Sequence, residues 1–75
     1  MTTSPLPGIR IEIAEHRLTG LRVTDAEGRT GILGHVVIER DRQTQREVSR
    51  TAHLRPVDAS GIEWTTHPDE IEAAQ

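Results

Sequence analysis

Cysteine, lysine, asparagine, phenylalanine and tyrosine are all missing from this chain, and Trp64 is its one aromatic residue. Without cysteine there is no disulfide framework, no thiol nucleophile and no thiolate-ligated zinc. No apolar run approaches the roughly 18–20 residues that span a bilayer, and Met1–Arg10 lacks the apolar core of a signal peptide. These absences predict a soluble, cytoplasmic chain with no membrane partner. The missing Lys, Asn, Phe and Tyr share A/T-rich codons, so the all-arginine set of nine basic residues reads as the mark of a high-GC genome, not of bidentate recognition. The 75 residues hold one domain. Setting aside six alanines and Met1 leaves 18 large apolar side chains, a small core whose marginal stability a second copy or a bound partner would raise.

Met1–Gly8, with two prolines, a glycine and three hydroxyl residues, reads as a flexible leader ahead of a single domain over 9–74. Ile9, Ile11 and Ile13 alternate with Arg10 and Glu12, the pattern of a half-buried strand. Leu21–Thr24 repeats it briefly, and Asp25–Gly28 forms a hairpin turn. Thr30–Arg40 is apolar on both sides: Ile32, Gly34, Val36 and Ile38 fall on one face, Leu33, His35 and Val37 on the other. Such a strand suits a closed barrel, with Gly31 and Gly34 where it bends. Asp41–Thr44 turns the chain. Gln45–Arg55 then places Val48, Ala52 and Leu54 inward, with Arg50 breaking the row. Pro56–Gly61 is a turn and Ile62–Thr66 a last strand. Thr66 caps a short helix over about 68–74, with Pro68 in its first turn and Asp69 three residues after the cap. Together these predict a mostly β fold: a small five-stranded Src-homology-3-like barrel or rolled sheet with a short C-terminal helix.

Catalytic equipment is sparse. His16, His35, His53 and His67 show no metal-ligand spacing, although His35 and His53 can meet across paired strands. Ser4, Ser49 and Ser60 lie outside any nucleophile motif. The carboxylate pairs Asp25/Glu27 and Asp69/Glu70 fall in a turn and a helix start, where acids are favoured for structural reasons. The expectation is a non-enzymatic protein with no metal and no cofactor. Trp64, alternating with Ile62, reads as a core residue against Ile71 or the first strand; exposed, it would instead anchor a peptide groove.

Two resemblances add to this. Gly31-Ile-Leu-Gly34-His-Val36, preceded by Val23 and Gly28, resembles the KOW motif of certain ribosomal proteins and transcription-elongation factors; the interval from Gly28 to Gly31 is one residue short of the usual pattern. The resemblance spans about 17 residues and implies a small Src-homology-3-type barrel. Leu54-Arg55-Pro56, Gly61 and Glu63-Trp64-Thr65, ahead of a short acidic segment, resemble the end of small actinobacterial β-barrel proteins, a likeness that implies fold and source and brings no activity with it.

The net charge of −3 conceals an uneven distribution. Residues 29–55 carry six arginines against three acids, while residues 56–75 carry five acids and no arginine. Arg29, Arg40, Arg42, Arg46 and Arg50 are therefore the candidate nucleic-acid contacts, through phosphates. The mixed-sign runs Arg40-Asp41-Arg42 and Arg46-Glu47 equally suit a solvated hairpin. The leading expectation is an interaction module whose strand edges meet a protein partner or a second copy. The alternative is a KOW-like domain binding RNA or DNA through the arginine hairpin.

Overall fold

The computed structural model describes residues 8–58 and 60–74. Of the expected leader only Gly8 falls among them; the rest of that expectation lies outside the described residues. Among the described residues six strands form one antiparallel sheet: β1 Ile9–Ala14, β2 Arg22–Thr24, β3 Thr30–Asp41, β4 Glu47–Arg55, β5 Trp64–Thr66 and β6 Glu72–Ala73. The sheet runs β5-β4-β3-β2-β6, and β1 pairs with β3 off that path. The twelve-residue β3 explains this branch. Its first part pairs with β2 and its last part with β1, so the two shorter strands follow one another along the same side.

The fold is mostly β, as expected, but where a five-stranded barrel or rolled sheet was expected the sheet is open, not closed into a barrel, and has a sixth strand among the described residues. β2, β5 and β6 are three residues or fewer, and β5 and β6 end the sheet without pairing to each other. Elongation follows from the same layout, with extents of 41 × 26 × 19 Å.

The core gathers at one end, where Leu18, Val23, Leu33, Val36, Ala52, Leu54 and Ile71 are buried and Ala14 and Trp64 pack against them. Leu33 and Val36 share this face although their parities differ. A β-bulge accounts for it: Leu33 pairs with Leu54 but His35 pairs with His53, which leaves Gly34 as the extra residue. The expected grouping of Leu33 with His35 and Val37 is thereby corrected, because one inserted residue moves every later side chain to the opposite face. A second irregularity lies between the Glu39–Ser49 and Arg40–Glu47 pairs and sets Val48 apart. Val48 is exposed instead of inward, whereas Ala52 and Leu54 are inward as expected.

The C-terminal helix is also replaced. Pro68–Glu70 form one 3₁₀ turn, capped by His67 and not Thr66: the His67 Nδ1 accepts from the Asp69 N–H at 3.1 Å. The chain then extends as β6 beside β2, and the Ala74 N–H donates to the Arg22 carbonyl. A helix of seven residues is marginal in isolation, whereas the extended route buries Ile71 and pairs the outer edge of β2. No helix among the described residues is long and apolar enough to cross a membrane.

Candidate functional site

Beyond the core, the sheet narrows to β1, β3 and the first part of β4, and its two faces differ sharply. Register places Arg10, Glu12 and Ala14 of β1 opposite Arg40, Ile38 and Val36 of β3, so these six share the face that continues the core. Here the apolar core gives way to ion pairs. Glu12 accepts from Arg40 Nε at 2.7 Å and from Arg10 at 2.8 Å, and Arg50 forks onto Glu47. Hydrogen bonding and charge from Arg40 first, then Arg10, outweigh desolvation and hold the Glu12 carboxyl below its ordinary value. Arg50 does the same for Glu47.

The opposite face carries Ile9, Ile11 and Ile13 beside Asp41, Glu39 and Val37. The isoleucine row expected to be the buried side of β1 therefore faces away from the core. Ile11 is 47% exposed and Ile13 68%. The reason is register: the core-side positions of β1 are taken by the residues that complete the arginine–glutamate network.

Among the described residues no strand pairs with the outer edge of β1 either. The Arg42 N–H donates to the Gly8 carbonyl at 2.7 Å, in the same register that pairs Ile9 with Asp41. Backbone groups alternate in direction along an antiparallel strand. Gly8, Arg10, Glu12 and Ala14 thus turn theirs toward β3, while Ile9, Ile11 and Ile13 turn theirs outward. On that side Arg42 Nε reaches the Ile9 carbonyl at 3.3 Å.

Two histidines lie across the same surface. His35 and His53 are cross-strand partners with stacked rings, 4.6 Å between centroids and 13° between planes. They line an open indentation of about 160 Å³ with Gly34, Leu54, Arg55 and Glu63. Parallel imidazoles aim their in-plane lone pairs side by side instead of at one point. Among the described residues no three His, Cys, Asp or Glu side chains are placed to hold a metal ion.

The candidate arginines do not form one patch. Arg40 and Arg50 are engaged with Glu12 and Glu47, and Arg42 reaches the Ile9 carbonyl. Arg29 lies at the other end of β3, its guanidinium 4.8 Å from the centre of the Trp64 ring. Arg46 is exposed at the tip of the β3–β4 hairpin.

Trp64 is a packing residue. Its Nε1 donates to Asp25 Oδ2 at 3.0 Å, and its ring lies against Gly31, where an added Cβ would come within 2.6 Å of Cη2. Ile62, which alternates with it in the sequence, is 88% exposed. Asp25 Oδ1 accepts from the backbone N–H groups of Glu27 and Arg29, so its oxygens are committed to holding the turn. The glycines of the KOW-like stretch likewise have structural uses: positive φ at Gly28, contact with Trp64 at Gly31, and the bulge at Gly34.

Sequence reasoning found the histidine pairing but missed which way the isoleucines point. The alternating charges between them were the available signal, since Arg10 and Glu12 match the arginines and acids of the facing strand. No family model matches this chain, and no curated protein or solved structure matches it either.

Proposed function

We propose that this protein is a non-enzymatic interaction module that receives an extended strand of a protein along the free edge of β1. One observation carries the reading. Among the described residues no strand pairs with the outward backbone groups of Ile9, Ile11 and Ile13, of which the Ile9 carbonyl accepts from Arg42 Nε, and the exposed Ile11 and Ile13 side chains lie beside them. An added strand would satisfy those backbone groups and cover apolar surface in one event, the pattern of β-strand addition. An unprotected edge of this kind pairs readily with other chains. The engagement of Arg40 and Arg50 by carboxylates supports the protein-contact reading over nucleic acid, because it reduces the charge free to meet phosphates.

Ile11→Pro tests the reading, since proline removes an outward N–H while leaving the β1–β3 ladder donors in place. Immobilised extended peptides alternating apolar and charged residues should retain the wild-type protein and not the variant, with far-ultraviolet circular dichroism unchanged. Equal retention of both proteins overturns strand addition at this edge. Binding to mixed-sequence RNA or DNA that weakens steeply with salt and disappears in Arg42→Ala/Arg46→Ala would transfer the function to the arginine hairpin.

A further inference from the structure

The β1 edge is complementary to itself, and we infer that its occupant is the β1 strand of a second copy, paired antiparallel across a two-fold axis at Ile11. This rests on the strand-addition reading and names the partner. An antiparallel pair sets residues of the same face directly opposite each other, and the outward backbone groups belong to Ile9, Ile11 and Ile13. Pairing must therefore join odd-numbered positions to odd-numbered positions.

Charge then selects among the registers that satisfy this rule. With Arg10 on the axis, two guanidinium groups face each other; with Glu12 there, two carboxylates do. Like charges directly opposite are unfavourable. With Ile11 on the axis, Arg10 of each copy faces Glu12 of the other, Ile9 faces Ile13, and Ile11 faces itself. Each isoleucine pair also exchanges both N–H···O bonds, the Ile9 carbonyl accepting from Ile13 of the other copy alongside or in place of Arg42 Nε. Arg10 and Glu12 are exposed enough to take part, with 49% and 36% of their side-chain surface open to solvent. The Arg10–Glu12–Arg40 network of one copy then meets that of the other, and each Glu12 gains a further arginine. On the reverse face the two isoleucine rows lie side by side and shield one another. A two-fold contact needs a surface that is its own complement, and I-R-I-E-I centred on Ile11 meets that condition.

The absence of cysteine makes the register directly measurable. Residues facing each other in a hydrogen-bonded antiparallel pair have Cα atoms about 5.5 Å apart, within disulfide range. Ile11→Cys should oxidise to a covalent dimer. Ile13→Cys alone should not, because its own copy lies about 13 Å away along the strand, yet it should cross-link when mixed with Ile9→Cys. A charge exchange gives an independent readout. Arg10→Glu and Glu12→Arg should each be monomeric by light scattering, and an equimolar mixture should recover the dimer mass. The self-pairing is overturned if wild-type protein keeps the monomer mass across its whole concentration range, or if cross-linking at position 13 matches that at position 11. If the peptide panel still distinguishes wild type from Ile11→Pro under those results, the edge receives a different chain and only the second-copy assignment falls. If the panel does not distinguish them, strand addition itself fails.

Discussion

Asp25 stays ionised although only 7% of the residue is exposed, because the donors around it outweigh the effect of its surroundings. Burial alone pushes its carboxyl pKa up. The Arg29 N–H, the Trp64 indole, the Glu27 N–H and the Arg29 charge together reverse that and hold it below the ordinary aspartate value. A lowered folded-state pKa means that the proton binds the unfolded chain more readily. Its stabilisation is therefore complete above the unfolded value of about 3.9, begins to fade as pH drops past that point, and is lost as pH falls through the folded value. Thermal melts followed by Trp64 emission should show this decline, and Asp25→Asn should make it shallower, leaving the part due to other carboxylates such as Glu12 and Glu47, while lowering stability at neutral pH by about 1–3 kcal/mol. Gly31 is tested in the same way. A methyl group there would stand 2.6 Å from the Trp64 ring and 2.7 Å from the Arg55 carbonyl. Gly31→Ala should destabilise by about 1–3 kcal/mol, lowering the melting temperature by several degrees in a domain of this size.

Among the elements, β6 owes its existence to what it pairs with, since Glu72 and Ala73 have no intrinsic strand preference. The Ala74 N–H points into the ladder with β2 and the Ala73 N–H points out of it. Ala74→Pro should accordingly cost about 1 kcal/mol more than Ala73→Pro in chemical denaturation, an asymmetry a helix would not produce. The contrast also shows what local pattern carries. The alternation of Ile9–Ile13, the Asp25–Gly28 turn and the apolar run from Thr30 lead to the right strands and to His35 opposite His53. The bulge at Gly34 was hidden because the run is apolar on both faces, so inserting one residue leaves no gap in the pattern. β6 was hidden because Pro68, Asp69 and Glu70 carry every local mark of a helix start, while the edge of β2 that claims the chain lies more than forty residues away. The candidate contact edge was half legible: its alternation was plain, but its direction depended on register with Arg40.

At the scale of the whole molecule, stability and exposure are divided between two ends of one sheet. Buried apolar contacts concentrate around Leu33, Ala52 and Leu54, whereas the β1–β3–β4 end is held by ladder bonds and by ion pairs on partly exposed side chains. Exposed pairs of this kind contribute little individually, so that end should open more often than the core. Native-state hydrogen exchange should show a gradient, with the slowest amides at Leu33, Ala52 and Leu54 and progressively faster ones toward residues 41–46. The outward amides of Ile9, Ile11 and Ile13 form a separate class. In a monomer they have no ladder acceptor among the described residues, and without one they exchange at the solvent-limited rate whatever the stability of the core. Pairing of β1 with a second copy would protect these three amides, and their protection would rise with protein concentration while that of Leu54 stayed constant. Uniform protection along β3 and β4 would contradict a core confined to one end. Concentration dependence at alternate β1 positions would instead tie the division of this sheet to its use: a packed end that folds the chain, and an open end whose unpaired edge makes contact.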